Sequence, residues 1–267
     1  LLGRVHDGAQ ALQAFQLARD AGFDNINLDL MFGLPRQSLA AAKSDLAQAI
    51  ELGPEHLSHY QLTIEPNTLF QHRQPPDMPD DDLCFAQQEA CQAQLAEAGY
   101  RQYEISAYSQ PKRESRHNLN YWEFGDYLGI GAGAHGKITL PGEDRVIRRV
   151  RLRHPRLYLE QQGAARIASE TQLDTADLCF EFMLNALRLK QGFDTHLFHD
   201  NTGLSLNDVL PSLKLAQDKG LLEFNGEKIT PSELGFRHLN DLQALFLTLQ
   251  PTKSKPFFES DKQIMHN

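Results

Sequence analysis

The spacing of apolar residues predicts alternating helices and strands along the first 105 residues. Apolar positions recur at helical spacing through QALQAFQLARDAG, alternate as in a strand through NINLDLMFG, and return to helical spacing through SLAAAKSDLAQAIELG. LSHYQLTI predicts the next strand, and DDLCFAQQEACQAQLAEAGY followed by RQYEIS repeats the pair. This order is typical of right-handed βαβ units. We therefore expect strands at residues 24–30, 57–63 and 101–105 to be parallel neighbours with helices outside.

The pattern changes near residue 165. LNDVLPSLKLAQDKG predicts a helix, and Asn225 with Gly226 predicts a turn between two short strands before a last helix. DTADLCFEFMLNALRLKQGF predicts a strongly amphipathic helix, whose apolar stripe consists of Phe180, Met183, Leu184 and Leu187. Helices followed by a small β-wing are typical of a winged-helix module.

The two patterns together predict an α/β chain in three parts. Residues 1–165 are expected to form the later part of a partial (β/α) barrel with an extension, and residues 166–247 a small helical, winged-helix-like C-terminal domain. The polar, proline-containing stretch 248–267 is expected to be a flexible tail. The chain opens on Leu1 inside an element, which predicts a fragment of a longer protein.

Composition and charge limit the classes of function. The 267 residues include 26 Lys and Arg against 35 Asp and Glu, a net charge of −9 that disfavours a nucleic-acid partner. In LNDVLPSLKLAQDKG, Lys214 and Lys219 are offset by Asp208 and Asp218, so a packing or partner-binding role is favoured over DNA binding. No apolar run approaches the roughly 20 residues of a membrane span. We expect a cytoplasmic protein without a signal peptide.

The three cysteines indicate neither disulfides nor a metal site. Cys84, Cys91 and Cys179 are odd in number and fit no metal-ligand spacing. They are typical of small buried residues in a reducing compartment.

Several polar residues stand where ligand groups are expected. Asp29 closes an apolar strand just before MFGLP, where barrels present functional side chains, although a helix cap or a structural ion pair explains it equally well. RVIRRVRLRHPR alternates Arg149, Arg151 and Arg153 with apolar residues, as in a strand with one basic face. Such a face is usually solvated; the alternative is contact with an anionic ligand such as a carboxylate-bearing macrocycle. The glycines of GDYLGIGAGAHGK fit no phosphate or dinucleotide loop and indicate a glycine-rich strand end.

The stretch SRHNLNYW groups a histidine, an amide and two large aromatic residues without helical or strand periodicity. Imidazole is a good ligand for haem iron, which makes His117 a candidate, and Tyr121 and Trp122 offer flat apolar faces to a planar ring system. Asn118 would fix the loop or the imidazole by hydrogen bonding. The alternative is an aromatic plug that covers the open side of a barrel.

A series of motifs carries a family resemblance. GRVHD, INLDLMFGLP, HLSHYQLTIEPNTLF, YRQYEIS, SRHNLNYW and YLGIGAGAH, in this order, closely resemble the oxygen-independent coproporphyrinogen oxidase-like family of radical S-adenosylmethionine proteins. Within that family, HNLNYW is similar to the HNxxYW motif of the haem-chaperone branch, HemW. FEFMLNALRLKQGF and LNDLQALFL resemble the family's helical accessory domain, so the resemblance extends from residue 1 to residue 247.

The resemblance implies cofactors and two of their contacts. Members of the family hold a [4Fe-4S] cluster through an N-terminal CxxxCxxC motif, which this sequence lacks. Arg4, at the GR position, and Asp29, at the DLMFGLP position, match S-adenosylmethionine contacts; a guanidinium can clamp its carboxylate, and a carboxylate can accept from its ribose hydroxyls or ammonium. Thr63 and His135 align near the site only loosely.

The function implied by the resemblance is that of a haem chaperone. The full-length protein would bind haem, the cluster and S-adenosylmethionine. It would pass haem to acceptor proteins, membrane-associated proteins among them. His117 would be the haem-iron ligand or a haem contact, with Tyr121 and Trp122 on the porphyrin. The alternative is a coproporphyrinogen III dehydrogenase, which decarboxylates propionates through a 5′-deoxyadenosyl radical. The HNLNYW motif favours the chaperone. The sequence alone leaves open whether the full-length protein is an enzyme.

Overall fold

The computed structural model describes residues 6–143 and 145–247, which divide into two compact units between Ser115 and Arg116. The two compact units are therefore divided about 50 residues before the predicted domain boundary at residue 165, and that boundary stays a prediction. Arg4 and the tail expected at 248–267 lie outside the described residues. Within the described residues, no helix has the length and apolar character needed to cross a bilayer.

The first unit alternates helices and strands and ends in a hairpin. Its elements are α1 (Gly8–Asp20), β1 (Asn27–Phe32), α2 (Leu39–Glu51), β2 (His56–Gln61), α3 (Leu69–His72), α4 (Asp81–Glu97), β3 (Arg101–Glu104) and β4 (Ala107–Ser109). Local signals set the ends of the helices, since Asp7, Ser38 and Asp80 each accept a backbone hydrogen bond as N-caps.

The strands of the first unit form one sheet in the order β1-β2-β4-β3. β1 and β2 are parallel, with Asp29 opposite Ser58, as the βαβ pattern predicted. The prediction that the strand near residue 101 is the next neighbour was wrong. β3 runs in the same direction as β1 and β2, but the antiparallel strand β4 is paired between β2 and β3. The pattern missed β4 because three residues are too short to show a period.

Helices cover one face of this sheet. Leu46 of α2, Leu57 of β2 and Leu95 of α4 are fully buried in one cluster, with Leu28 and Leu30 of β1 packed against it. Each fully buried leucine contributes about 1.5 to 3 kcal/mol of apolar burial. The side chains of the neighbouring positions on β1 must therefore point to the opposite face, which these helices do not cover.

The second unit combines a short helix, an antiparallel sheet and a helical domain with a small second sheet. Its helices and strands are α5 (Arg116–Trp122), β5 (His135–Leu140), β6 (Arg145–Arg151), α6 (Pro155–Glu160), β7 (Ile167–Gln172), α7 (Thr175–Ala186), β8 (Phe193–Asp194), α8 (Thr195–Thr202), α9 (Leu210–Asp218), β9 (Leu222–Phe224), β10 (Lys228–Pro231), α10 (Glu233–Arg237) and α11 (Leu239–Ala244). Short 3₁₀ turns occupy Pro141–Glu143, Gly163–Arg166 and Leu206–Asp208.

Two three-stranded sheets organise the second unit, in the orders β5-β6-β7 and β8-β10-β9, all antiparallel. The predicted turn at Asn225 and Gly226 lies between β9 and β10, and Gly226 adopts φ of 95°, a conformation that favours glycine. The Asn225 side chain accepts hydrogen bonds from the backbone of Glu227 and Lys228. This sheet with the helices around it gives the expected helical domain with a β-wing.

The core of the second unit centres on Phe182 of α7. Its ring meets those of Phe124, Phe193 and Phe198 edge-on, with centroids 5.8, 5.3 and 5.0 Å away. The predicted apolar stripe of α7 was only partly right: Met183 and Leu187 are buried, Phe180 is half-buried, and Leu184 is 38% exposed. The buried face is therefore rotated towards Phe182.

Candidate functional site

Asp29 lies in the middle of β1, on the sheet face opposite α2 and α4. The expectation that it closes the strand was wrong, because Met31 and Phe32 continue the pairing with β2. Its carboxylate is exposed, and within the described residues its Oδ1 accepts a hydrogen bond of 2.9 Å from Asn27 Nδ2. An exposed carboxylate held by one oxygen suits a ligand that brings an ammonium or hydroxyl groups.

A chain of hydrogen bonds joins Asp29 to the other strands of the sheet. Asn27 Oδ1 lies 2.6 Å from His56 Nδ1 and accepts from Ser58 Oγ at 3.1 Å. His56 Nε2 in turn lies 2.8 Å from the hydroxyl of Tyr103. We call Tyr103, His56, Asn27 and Asp29 the strand relay. Its side chains come from β3, β2 and β1 and give a run of polar groups on the sheet face opposite α2 and α4.

The electrostatic setting of the strand relay keeps His56 neutral. Burial lowers the pKa of His56, and the nearby carboxylates of Glu104, Asp29 and Glu114 oppose this only in part. Glu104 is itself buried, and its Oε1 accepts from the backbone and the hydroxyl of Ser106, each at 3.0 Å. A neutral imidazole can donate from one nitrogen and accept at the other, as a relay requires.

Sequence reasoning found Asp29 and missed its partners. Asn27 precedes it by two positions on the same strand face, and His56 and Ser58 stand at matching positions of the next strand. Polar residues at every second position of two consecutive strands were a readable signal of a polar sheet face. The partnership with Tyr103 was not readable, because it depends on how β4 separates β2 from β3.

The second candidate site is the HNLNYW stretch, which forms the helix α5 rather than the expected loop. A helix of seven residues shows too few repeats for a period and depends on tertiary packing for its stability. His117 is exposed, and the ring of Tyr121 stands edge-on to it with centroids 5.1 Å apart. Tyr121 stacks in turn on Tyr127 at 4.2 Å. The motif thus places an accessible imidazole beside a rigid aromatic pair.

Trp122 is held by contacts inside the second unit. The Arg188 guanidinium lies over its indole ring, 4.2 Å from the ring centroid. The ring is half-buried, and its Nε1 is buried with no hydrogen-bond partner among the described residues. These contacts favour a packing role for Trp122, so its contact with haem stays a prediction. Asn118 is half-buried.

An ion pair supports the aromatic pair from β6. Arg148 donates to the hydroxyl of Tyr127 at 2.8 Å and forms a two-pronged pair with Glu181 of α7. Burial and the neighbouring Tyr127 raise the pKa of Tyr121, so its hydroxyl stays protonated at neutral pH. Hence Arg148, rather than the predicted basic face, lies next to the HNLNYW helix.

The predicted basic face points elsewhere. Arg149 follows Arg148 in β6 and therefore projects to the opposite side of the sheet, where Glu170 of β7 neutralises it at 2.7 Å. Arg151 donates to the carbonyl of Gly129 at 3.1 Å, and Arg153 is exposed beyond the end of β6. Arg149 and Arg151 are thus held by contacts within the second unit, and the alternative, contact of this basic face with an anionic ligand, stays a prediction.

The remaining predicted positions have local roles. Thr63 is exposed after β2 and donates to Glu65 at 3.0 Å. His135 is exposed at the start of β5, and a Cβ at Gly129 would come within 2.3 Å of its carbonyl oxygen. Close backbone approach at a strand end thus explains Gly129 and Gly136, whereas Gly131 and Gly133 adopt positive φ.

The cysteines do not fit an iron-sulfur cluster. Cys84 and Cys91 are buried in α4 and Cys179 in α7, and burial raises the pKa of each thiol, that of Cys179 to about 12. Cluster ligands are thiolates, so these protonated, buried thiols are unsuited to the task. Among the described residues, no three His, Cys, Asp or Glu side chains are placed to hold a metal ion.

Comparison with known proteins gives relatives over most of the chain. It is 46% identical to heme chaperone HemW of Escherichia coli and 44% identical to heme chaperone HemW of Haemophilus influenzae, in each case over 92% of this chain. The same name is borne by a Bacillus subtilis protein that is 32% identical over 92% of this chain. The chain spans 64% and 63% of the length of the first two relatives.

The C-terminal region and the fold agree with these relatives. The family described as HemN C-terminal domain matches residues 173–238. The solved structure of coproporphyrinogen III oxidase (HemN) from Escherichia coli, described as a radical SAM enzyme, matches with a TM-score of 0.72 over 92% of this chain and 60% of that one, at 19% identity. The family resemblance carried by the motifs is therefore confirmed as a likeness: the chain is similar to the HemW relatives over most of its length, its C-terminal region matches the HemN C-terminal domain, and it has the fold of HemN over the part that it spans.

Proposed function

We propose that the chain is the later part of a haem chaperone of the HemW type. The full-length protein binds haem and S-adenosylmethionine, carries a [4Fe-4S] cluster on residues outside this chain, and passes haem to acceptor proteins in the cytoplasm or at a membrane. The observation that carries the proposal is the exposed imidazole of His117 on α5, fixed beside the Tyr121 ring. The relatives named heme chaperone HemW support it.

The haem contact of this proposal is His117. An accessible imidazole can ligate haem iron through either ring nitrogen, and the neighbouring Tyr121 offers an aromatic edge to the porphyrin. Because Tyr121 is stacked on Tyr127, which Arg148 holds, the ring does not have to be ordered when haem binds. Trp122, the third predicted contact, packs against Arg188, and its contact with haem is part of the same proposal.

The S-adenosylmethionine contact is Asp29, with Arg4 as a further candidate outside the described residues. Asp29 accepts from the ammonium or ribose hydroxyls of the cofactor, on the polar face that carries the strand relay. Together with a cluster, bound S-adenosylmethionine supplies the family's radical chemistry. The protonated thiols of this chain leave the cluster ligands to another part of the full-length protein.

The test of the haem assignment is a titration of the full-length protein with haem, followed by Soret absorbance. We expect His117→Ala to shift the Soret band and to weaken binding by about tenfold, equivalent to about 1.4 kcal/mol. His196→Ala is the matched control, because His196 is also an exposed histidine on a helix of the second unit. Equal affinity and an equal spectrum for His117→Ala and the unmodified protein would remove His117 as the ligand.

The second candidate function is that of a coproporphyrinogen III dehydrogenase. The fold likeness to HemN favours it as an alternative, although at 19% identity this likeness concerns the fold alone. The two functions separate in one assay, in which the reduced full-length protein is incubated with S-adenosylmethionine and coproporphyrinogen III without oxygen. If coproporphyrinogen III loses its propionate carboxyl groups in this assay, the dehydrogenase function would be supported and the chaperone proposal would be overturned.

A further inference from the structure

The strand relay has a defined direction. The Asn27 amide is oriented with Nδ2 towards Asp29 Oδ1, 2.9 Å away, so its Oδ1 faces β2 as an acceptor. Both groups that reach this oxygen, His56 Nδ1 at 2.6 Å and Ser58 Oγ at 3.1 Å, must then donate. A neutral His56 that donates from Nδ1 accepts at Nε2, which requires the Tyr103 hydroxyl to donate across 2.8 Å.

The far end of the strand relay is rigid and its near end is open. His56 and Tyr103 are 4% and 7% exposed, and their rings meet edge-on with centroids 5.6 Å apart. Asn27 and Asp29 are exposed on the edge strand β1. An exposed aspartate alone samples several rotamers, and selecting one of them costs free energy when a ligand binds. Anchoring Asn27 from the buried side removes part of that cost.

We propose that Tyr103, His56 and Asn27 are positioning residues, which hold the Asp29 carboxylate in the orientation that receives the ammonium or hydroxyl groups of a nucleoside-type ligand. This inference rests on the proposed function, in which Asp29 contacts S-adenosylmethionine. It adds that the affinity at Asp29 depends on hydrogen bonds that begin at a buried tyrosine on β3, at the other edge of the four-stranded sheet. The Tyr103 hydroxyl therefore acts on the ligand only through His56 and Asn27.

The bulge in β3 gives Tyr103 its place in the relay. The pairing with β4 shifts between Gln102 and Glu104, which leaves Tyr103 as the extra residue on its strand. A bulge changes the direction of side chains relative to a regular strand. Here the Tyr103 hydroxyl reaches His56, while Glu104 lies close enough to act on the same imidazole. A buried histidine and tyrosine could serve packing alone, so the experiment must separate positioning from packing.

The experiment is a double-mutant cycle in the full-length protein, with S-adenosylmethionine affinity measured by calorimetry. His56→Leu removes the donor to Asn27, and we expect it to weaken binding by about five- to tenfold. In an Asp29→Ala background the same change should have no further effect, because the relay then has no carboxylate to position. His56→Asn, whose amide can still donate towards Asn27, should restore most of the affinity.

The matched control is His59→Leu, which changes a buried histidine of the same strand on the opposite, helix-covered face. His59 stacks on Phe32 and burial lowers its pKa to about 4, so it is neutral and apart from the relay. We expect its replacement to leave the affinity unchanged. An equal loss from His56→Leu with and without Asp29 would overturn positioning and indicate packing.

A measurement without binding separates failure of this inference from failure of the proposed function. If Asp29→Ala leaves the affinity unchanged, the cofactor assignment at Asp29 fails and positioning for that ligand fails with it.

The strand relay itself is tested by the ¹⁵N chemical shifts of the His56 ring, which are identified by the signal that His56→Asn removes. The Nδ1-protonated tautomer is expected, and the Nε2-protonated tautomer would overturn the relay. If His56→Leu fails to fold, Tyr103→Phe takes its place in the cycle. We expect Tyr103→Phe to weaken S-adenosylmethionine binding by about twofold or more.

Discussion

The two candidate sites are built in different ways. The site around Asp29 collects side chains from three strands, and its hydrogen bonds join residues as far apart in the chain as His56 and Tyr103. The site around His117 lies within one short helix and is supported by Tyr127, ten positions from His117. The first is fixed by hydrogen bonds in a buried setting, and the second by stacked rings and an ion pair. A contiguous motif can therefore mark a site whose rigidity comes from residues outside the motif.

The largest expected effect tests whether Trp122 serves the fold or the ligand. Trp122→Ala should lower the free energy of unfolding by about 3 kcal/mol, because it leaves a cavity and removes the surface under Arg188. Thermal or urea unfolding followed by circular dichroism measures the change. Trp122→Phe is the control and should cost roughly 1 kcal/mol. Unchanged stability with weakened haem binding would make Trp122 a ligand contact.

The next effect concerns Asp29, whose exposed carboxylate should contribute to binding rather than to stability. Asp29→Ala in the full-length protein should weaken S-adenosylmethionine binding by about 1 to 3 kcal/mol, the usual cost of losing a charged hydrogen-bond partner. The free energy of unfolding should change by less than about 0.5 kcal/mol. A large fall in stability with unchanged affinity would make Asp29 a structural residue, although its exposed carboxylate favours a role in binding.

A smaller effect is expected from the support of the HNLNYW helix. Tyr127→Phe removes the hydroxyl that accepts from Arg148, and should lower the free energy of unfolding by about 1 kcal/mol. Burial is the largest cause of the raised pKa of Tyr121, and the Tyr127 hydroxyl raises it further through a hydrogen bond and its electrostatic effect. Because Tyr127→Phe removes that hydroxyl, the pKa should fall towards its usual value of about 10. Ultraviolet difference titration measures it, with Tyr158→Phe as a control from α6. An unchanged Tyr121 pKa would contradict the proposed coupling of the two rings.

The smallest expected effect is the loss of folding stability at low pH when one carboxylate in each unit is replaced. Burial alone would raise the pKa of Glu55 in the first unit, but the backbone of Ile26 and the side chain of Arg19 lower it below 4.5. A folded pKa below the unfolded value means that the stabilisation is complete above the unfolded value of about 4.5 and is lost as the pH falls through the folded value. Glu55→Gln should cost about 0.5 to 1 kcal/mol at pH 7 and nothing below the folded pKa. An equal cost at both pH values would exclude the charge as the cause.

Asp126 provides the corresponding group in the second unit. Its pKa is lowered from 3.8 by hydrogen bonds from Thr139 and Lys137, against the opposite effect of burial. The pH window of Asp126 therefore begins lower than that of Glu55. Measured beside Glu55→Gln, the effect of Asp126→Asn should therefore begin to fall at a lower pH.

Short-range signals made part of this molecule predictable. Ser38 and Asp80 cap the helices whose apolar periods were readable, and Asn225 with Gly226 forms the predicted turn. Asp29 was a candidate because it is an acidic residue in an apolar strand and matches a family motif, and His117 because its neighbours in sequence combine an amide with two large aromatic residues. The motif order also carried the family resemblance, which later comparison confirmed.

Tertiary structure decided what depended on distant residues. A strand as short as β4 is stabilised by its pairing on both sides and by the burial of its side chains, so its place between β2 and β3 has no local signal. Arg148 rather than Arg149 meets the aromatic pair because the strand period assigns alternate residues to opposite faces once the sheet has formed. In the same way, Asn27, His56 and Tyr103 become one relay only when the four-stranded sheet has formed, with β4 between β2 and β3. The sequence by itself determined the local elements and the residue types of both sites, since caps, turns and periods depend on near neighbours. The tertiary structure alone decided which side chains meet, because hydrogen bonds and stacking act over a few ångströms between residues that the chain keeps far apart.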